Sequence, residues 1–191
     1  GMLLLDPMAG SGTFTLEAAM VAAGIPPGWQ REFAFQAWPA FQPGRWRHWR
    51  RQAEAAFATP PGRPSILSVD LDPGACRALE ARLRETRLAD WAKVAPGDFF
   101  QLTPRQVTQA TGISAPGLIS LNPPFGRRLA DPQSAVSLVE AIGRHLIRHF
   151  EGWRFALLLA PQIEVQHLPI PGKIHPLSHG GLALKLLTGR I

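Results

Sequence analysis

The sequence has a single cysteine and no long hydrophobic run, and each shortage excludes a class of protein. Cys76 alone cannot form an internal disulfide or a multi-cysteine zinc site, and its apolar neighbours predict burial on a helix. No stretch of about 18 uncharged apolar residues is available as a transmembrane helix. The apolar stretch at residues 2–5 is too short for a signal peptide. We therefore expect a cytoplasmic protein with no membrane partner.

Acidic residues are also scarce, since 14 Asp and Glu stand against 20 Lys and Arg, which gives a net charge of +6. Nearly all of the basic residues are arginines, whose guanidinium group binds phosphate through two donors at once. This composition favours a nucleic-acid partner, although net charge by itself indicates solubility and non-specific association first. No metal is expected, because the histidines lack ligand spacing supported by acids.

Strand-like and helix-like segments alternate along the chain, and its 191 residues fit a single domain. The alternation predicts an α/β fold: a three-layer, doubly wound, mostly parallel sheet with helices on both faces. Strands are predicted at residues 2–5, 66–69, near 94, 118–121, 155–159 and 182–187. Helices are predicted at residues 13–23, 45–57, 73–87 and 131–150, with a shorter one within 103–116. Residues 25–64, rich in proline and aromatics, form a predicted insertion.

Two glycines lie between the first strand and the first helix, in the segment Asp6-Pro7-Met8-Ala9-Gly10-Ser11-Gly12-Thr13. Glycines let the backbone approach a ligand closely, and the helix start offers free N–H groups. A phosphate-binding P-loop is excluded because no lysine follows the second glycine. The dinucleotide fingerprint is excluded because Thr15 stands where a third glycine is needed. Other cofactors would fit this loop.

Three carboxylates end predicted strands beside turn residues: Asp6, Asp70 and Asp98. From the position of Asp70, a carboxylate in such folds accepts hydrogen bonds from both ribose hydroxyls of an adenosine. Together the three would line one ligand cleft, although each taken alone could be a helix cap or a solvated loop acid. For Asp72, which precedes Pro73, the cap is the preferred interpretation.

The segment at residues 118–126, Leu-Ile-Ser-Leu-Asn-Pro-Pro-Phe-Gly, ends a predicted buried strand with an amide, two prolines and an aromatic ring. The exocyclic amino group of a nucleobase is a poor nucleophile, because its lone pair is delocalised into the ring. The Asn122 side-chain oxygen and the Pro123 carbonyl oxygen could accept hydrogen bonds from both N–H groups of the amine and stabilise the charge that develops on its nitrogen. Pro123 and Pro124 stiffen the loop, and Phe125 could stack on a flipped base. Standing alone, the motif would be merely a sharp turn.

Arginines alternate with indoles at residues 45–51, Arg-Trp-Arg-His-Trp-Arg-Arg, and two more arginines, Arg127 and Arg128, follow the Asn-Pro-Pro loop. The functional interpretation of both groups is contact with nucleic-acid phosphates. For the first group we prefer the alternative, an amphipathic helix with solvated arginines whose inward-packing side chains are Trp46, Trp49 and Phe57.

These motifs resemble the class I S-adenosylmethionine-dependent methyltransferases that act on amino groups, whose signatures are the glycine loop and (Asn/Asp)-Pro-Pro-(Tyr/Phe/Trp). Three further segments narrow the resemblance to the THUMP-linked RNA guanine-N2 methyltransferases, especially the bacterial large-subunit (23S) ribosomal RNA branch. They are Glu17-Ala18-Ala19, Phe33-Ala34-Phe35 with Trp38-Pro39, and Asp70-Leu71-Asp72-Pro73. The resemblance spans nearly the whole chain, and the segment at residues 33–38 favours RNA over DNA.

The resemblance implies a Rossmann-like, seven-stranded sheet with an antiparallel last strand and S-adenosylmethionine as the cofactor. The implied methyl acceptor is guanine in a structured RNA, either ribosomal or transfer RNA. The implied cofactor site comprises Asp6, Pro7, Ala9, Gly10, Ser11, Gly12, Thr13, Asp70, Leu71, Asp98 and Phe99. Within it the loop would border the methionine, Asp70 would hold the ribose, and Asp98 with Phe99 would contact the adenine. The implied catalytic loop is Asn122, Pro123, Pro124 and Phe125.

The chain departs from the family pattern at two positions: Ala9 stands where cysteine is common, and Phe125 where tyrosine is commoner. Neither change removes a group that the chemistry needs. Because the chain opens directly on its first strand, we expect the family's upstream helix and THUMP domain to be absent. Two alternatives stay open: an adenine-N6 DNA methyltransferase that uses the same residues, and a non-catalytic fragment that binds cofactor or RNA.

Overall fold

The computed structural model describes residues 2–60, 62–114, 116–124, 132–165, 168–179 and 181–191. Its strands are β1 (Leu4–Asp6), β2 (Ile66–Asp70), β3 (Ala92–Pro96), β4 (Leu118–Leu121), β5 (Arg154–Leu159), β6 (Lys173–His179) and β7 (Leu182–Arg190). They form one sheet of seven strands in the order β3-β2-β1-β4-β5-β7-β6. The first five strands are parallel, whereas β7 runs antiparallel to β5 and β6. The predicted fold class, including the antiparallel last strand, is confirmed.

The helices are α1 (Thr13–Ala22), α2 (Pro43–Glu54), α3 (Pro73–Glu85), α4 (Pro104–Thr111) and α5 (Pro132–His149). All but α1 begin with proline, whose fixed φ suits the first helical turn. The Asp72 carboxylate caps α3 by accepting the Gly74 N–H at 2.7 Å, so the predicted cap is confirmed. None of these helices in the described residues is long and apolar enough to cross a lipid bilayer.

Helices cover both faces of the sheet, which makes the three layers that the sequence predicts. On one face, buried side chains of α5 pack against the central strands; they are Val139, Ile142 and Leu146, beside Leu5, Ile119 and Leu157. On the other face, α1 and α3 pack over β2 through Ala19, Met20, Leu79 and Leu83. Cys76 of α3 is buried as predicted, so it serves packing.

The α2 helix departs from the preferred sequence interpretation, because none of its residues is buried. Trp49 is 57% exposed instead of packed inward, whereas Trp46 and Phe57 are half-buried. The physical reason is that Trp46 packs on the neighbouring aromatic segment, with its ring centroid 5.3 Å from that of Phe35. A helix that rests on a short segment outside the sheet has little surface against which to bury a second indole.

The edge strand β6 was not predicted. Pro176 lies inside it, and proline normally argues against a strand because it cannot donate a ladder hydrogen bond. At a sheet edge this cost is avoided, since one side of the strand has no partner. Most of β6 is exposed, so the continuous apolar pattern that marks a buried strand is missing there.

Shortening Leu121 tests whether the strand that carries the Asn-Pro-Pro loop is anchored by core packing. Leu121 is 0% exposed, so Leu121→Ala should lower the free energy of unfolding by about 2–5 kcal/mol in urea titrations. The matched control is Leu182→Ala, because Leu182 is 61% exposed and its loss should cost less than about 0.5 kcal/mol. Equal losses for the two variants would contradict this account.

Candidate functional site

The strand order reverses between β1 and β4, because β2 and β3 lie to one side of β1 while β5 lies beyond β4. In open parallel sheets such a reversal leaves a crevice outside the carboxyl ends of the strands, and ligands bind there. The glycine loop follows β1 and Asn122 follows β4, so the two motifs flank this crevice.

A cavity of about 340 Å³ occupies the crevice, within the size range of about 300–1,000 Å³ for small-molecule sites. Residues that follow four parallel strands line it. They are Pro7, Met8, Gly10, Asp70, Leu71, Asp72, Ala75, Asp98, Phe99, Phe100, Asn122, Pro124 and Leu138.

The Asp70 carboxylate joins two of these loops. Its Oδ2 accepts the Gly10 N–H at 2.7 Å, and its Oδ1 accepts the Asp72 N–H at 3.0 Å. Gly10 has a φ of +52°, and a Cβ at this position would meet no atom within 4 Å. The glycine loop is therefore fixed by hydrogen bonding while the space beside its backbone is open to a ligand.

Gly12 allows the glycine loop to pack closely against α3. Its φ is +77°, and a Cβ there would lie 2.1 Å from Leu79 Cδ1 on α3. Glycine thus satisfies both the left-handed backbone and the close approach of the loop to α3. The loop can turn tightly into α1 only because this position lacks a side chain.

Asp6 does not line the cavity as the sequence interpretation expected. It is 1% exposed, and its Oδ2 accepts the Thr15 hydroxyl at 2.7 Å beneath the loop. Thr15 Oγ1 in turn lies 2.5 Å from Ser68 Oγ on β2. Burial raises the pKa of the Asp6 carboxyl from 3.8 to about 6, against the lowering effect of the Thr15 hydrogen bonds, with a further raising contribution from Asp70. Asp6 therefore supports the loop from below.

Asp98 and the phenylalanines after it form another wall of the cavity. The Asp98 Oδ1 accepts the Phe100 N–H at 2.9 Å, which caps a short 3-10 turn. Phe99 is 2% exposed and belongs to the core, whereas the ring of Phe100 is 38% exposed. Phe100 thus offers the more accessible ring, although the sequence interpretation chose Phe99. Burial lowers the pKa of His145, whose ring packs against both phenylalanines.

The Asn122 side chain is exposed at the end of β4 and lines the cavity together with Pro124. It makes no hydrogen bond to another described residue. Pro123 between them is buried, which holds the loop against the core. Three predicted site residues, Phe125, Arg127 and Arg128, lie outside the described residues.

The cavity collects part of the predicted site and adds residues that were missed. The predicted residues in its lining are Pro7, Gly10, Asp70, Leu71, Asp98, Phe99, Asn122 and Pro124. Six predicted site residues do not line the cavity: Asp6, Ala9, Ser11, Gly12, Thr13 and Pro123. The additional lining residues are Met8, Asp72, Ala75, Phe100 and Leu138. Met8 and Phe100 stand inside the motifs and could have been included; Leu138 carries no sequence signal, because only tertiary packing brings α5 here.

The arrangement suits a ligand with a polyhydroxylated, aromatic part next to a hydrogen-bond donor. Asp70 supplies carboxylate oxygens, and Leu71 and Phe100 supply apolar surface, with Leu71 73% exposed. Asn122 supplies an amide oxygen to the same space. This combination of a carboxylate, apolar surface and an amide oxygen fits a nucleoside cofactor with an amino group of a second molecule beside it.

The family model described as RMKL-like, methyltransferase domain, matches residues 1–167. The chain belongs to this family, UPF0020. Membership confirms the resemblance and the cofactor that were expected from the sequence, a methyltransferase domain that uses S-adenosylmethionine. The family assignment agrees with the cavity at the switch point, where the fold offers a nucleoside site.

Curated relatives and a solved structure support the assignment. The chain is 35% identical to ribosomal RNA large subunit methyltransferase K/L of Chromohalobacter salexigens over 162 residues, which are 82% of this chain and 21% of that protein. For the protein of the same name from Pseudomonas aeruginosa, the identity is 32% over 98% of this chain and 26% of that protein. The structure of SMU.472 in complex with SAH is 26% identical, with a TM-score of 0.80, over 98% of this chain and 47% of that one. The chain thus spans about a quarter of the length of the curated relatives.

The buried Asp6 carboxyl should make stability depend on pH. Because its folded pKa of about 6 exceeds the ordinary 3.8, the stabilisation from its proton is fully present below pH 3.8. It is lost as the pH rises through 6, a change of about 3 kcal/mol. Asp6→Asn cannot ionise, so its stability relative to the unaltered chain should rise by about this amount between pH 4 and pH 7.

Urea unfolding of both proteins at several pH values measures this difference, in which the contributions of other groups cancel. Asp90→Asn is the matched control, because it makes the same substitution at an exposed aspartate. A constant stability difference between Asp6→Asn and the unaltered chain across this range would show that Asp6 is ionised in the fold.

Proposed function

We propose that this chain transfers a methyl group from S-adenosylmethionine to the N2 amino group of a guanine in ribosomal RNA. The observation that carries the proposal is that Asn122 lines the same cavity as Gly10 and Asp70. The amide that would hold an amino group and the carboxylate that would hold a nucleoside cofactor therefore face one space. A sharp turn without function would not require this shared space.

The residues of the cavity fit the cofactor. Gly10 leaves room for the methionine part beside the glycine loop, and Asp70 would accept the ribose hydroxyls. Phe100, Leu71 and Asp98 line the same cavity and would hold the adenine. When bound, S-adenosylmethionine supplies an electrophilic methyl group on a sulfonium centre.

The chain's own task is to position the acceptor amine and hold its hydrogens. The oxygens of the Asn122 amide and the Pro123 carbonyl accept hydrogen bonds from the two N–H groups of the amine. These hydrogen bonds orient the nitrogen lone pair towards the methyl carbon. The nitrogen–carbon bond forms as the carbon–sulfur bond breaks, and one N–H proton leaves to solvent once the nitrogen becomes cationic. No strong base is needed, because the amine becomes acidic only as it gains the methyl group. Positioning and charge stabilisation thus supply the rate enhancement.

Ribosomal RNA as the substrate is supported by the printed names of the relatives, ribosomal RNA large subunit methyltransferase K/L. The excess of arginine agrees with a polyanionic substrate. Guanine N2 is inferred from the resemblance described above. The Asn-Pro-Pro loop recognises an amino group, which adenine N6 also offers, so the base must be determined by experiment.

Digestion of the methylated product to nucleosides identifies the base. The chain is incubated with methyl-labelled S-adenosylmethionine and either unmodified large-subunit ribosomal RNA or genomic DNA. We expect label in N2-methylguanosine from the RNA only. Label in N6-methyladenine of DNA would replace the proposal with the adenine-N6 alternative, and failure to bind S-adenosylmethionine in calorimetry would support the non-catalytic fragment.

Two substitutions should separate cofactor binding from methyl transfer. Asn122→Ala should lower the transfer rate by about 10²–10³-fold, the scale for removing one preorganised polar contact, with normal cofactor affinity. Asp70→Asn should instead weaken cofactor binding, measured by calorimetry, because a carboxylate that accepts hydroxyl hydrogens is lost.

Gln109→Ala is the matched amide control, because Gln109 is exposed on α4 and does not line the cavity. It should leave both the transfer rate and the cofactor affinity unchanged. If Asn122→Ala transfers methyl groups as fast as Gln109→Ala, Asn122 does not hold the acceptor.

A further inference from the structure

We propose that the insertion carries a second nucleotide-binding site, a groove in which aromatic side chains stack on an unpaired base of the RNA. The groove has a volume of about 460 Å³ and is separate from the cofactor cavity, with which it shares no lining residue. Its lining residues are Phe35, Trp38, Ala40, Phe41, Gln42, Arg45, Trp46 and Trp49. This inference rests on the proposed RNA substrate.

The rings of the groove are held in place by one another. The Phe35 ring centroid lies 5.9 Å from that of Phe41 and 5.3 Å from that of Trp46, and Phe33 stacks on Phe35 at 5.4 Å. These inner rings are half-buried, so their conformations are restricted by packing. A prearranged aromatic floor loses little entropy when a planar ligand binds.

The outer rings are unusually exposed. Trp38 is 65% exposed and Trp49 is 57% exposed, and both line the apolar groove. Two large indoles exposed at one place form an apolar patch of the kind that marks a binding surface. Every nucleobase has a flat face that can stack on such rings without sequence preference.

The charge around the groove selects an anionic occupant. Arg45 lines the groove, and its guanidinium lies 5.6 Å from the centre of the Trp49 ring, whereas Arg47, His48 and Arg51 are exposed on other sides of the same helix. Between described residues, no arginine of α2 forms an ion pair. The acid of this helix, Glu54, lies nine residues beyond Arg45, about 14 Å along the axis.

These charges argue against a second copy of the chain as the occupant. Symmetric contact through the groove would bring Arg45 of both copies together, and like charges in contact oppose association. A phosphodiester chain would neutralise Arg45 while its bases reach the indoles. The combination of stacking rings with phosphate-binding guanidinium groups is the one that single-stranded nucleic acids use.

The test measures the affinity of the chain for a fluorescent, single-stranded RNA oligonucleotide of mixed sequence by anisotropy. Trp38→Ala and Trp49→Ala should each weaken binding by about 5- to 150-fold, the loss expected for one stacked base. Trp38→Phe keeps a stacking ring and should retain most of the affinity. Both indoles are exposed, so the variants should fold normally, as circular dichroism can verify.

Charge variants distinguish a specific RNA-binding site in the groove from non-specific electrostatic attraction between the chain and RNA. Arg45→Gln should weaken binding and reduce its dependence on salt, because one phosphate contact is lost. The matched control is Arg84→Gln on α3, an exposed arginine outside the groove, which should change the affinity much less. Equal effects of Arg45→Gln and Arg84→Gln, or unchanged binding by the tryptophan variants, would overturn the groove as an RNA site and leave a protein partner as its occupant.

The proposed function and the groove can fail separately. Methyl transfer to DNA adenine, combined with RNA binding that depends on Trp38, would overturn the substrate but keep the groove. Methyl transfer to RNA guanine with the same KM in Trp38→Ala as in the unaltered chain would keep the substrate and overturn the groove.

Discussion

The hydrogen bond from the Gly10 N–H to the Asp70 carboxylate is the contact on which the cofactor cavity depends. It joins the loop after β1 to the end of β2 at 2.7 Å, across 60 residues of sequence. The parallel pairing of β1 with β2 brings these ends together, and the hydrogen bond then fixes the loop relative to the strand. A carboxylate has about four lone-pair sites. Gly10 and Asp72 use two of them, so Asp70 can fix the loop and still has two lone-pair sites left.

Below this contact, a second set of polar groups supports the same loop. Asp6, Thr15 and Ser68 join β1, α1 and β2 through short hydrogen bonds inside the protein. Burying three polar groups is costly unless they satisfy one another, and here they do. The raised pKa of Asp6 is the electrostatic consequence of this burial. The glycine loop is thus held from both sides, by Asp70 at the strand end and by Asp6 beneath it, while its cavity face stays open.

The sequence predicts elements best where one interaction dominates. The bounds of β4, Leu118–Leu121, agree with the prediction because an apolar run ends at residues that cannot continue a strand. Asp72 was identified as a cap for a similarly local reason. The direction of a side chain depends on its neighbours in space, which the sequence does not show. The sequence therefore placed Asp6 in the cavity incorrectly. Only the pairing of β1 with β2 makes Thr15 and Ser68 its partners. The choice between Phe99 and Phe100 likewise depends on a 3-10 turn that rotates one ring into the core.

The topology also separates the connections of the insertion from the loops that line the cavity. The α1 helix begins at the glycine loop and ends ten residues later, about 15 Å away, where the insertion leaves the core. The insertion rejoins the core at Ala58, whose N–H is bonded to the Ala23 carbonyl, before β2 begins. It therefore connects to the ends of the strands opposite the cavity. In the proposed function, binding energy gained at the arginines and indoles of the insertion would position the target base, and a short substrate would lack that energy even when it carries the reacting group.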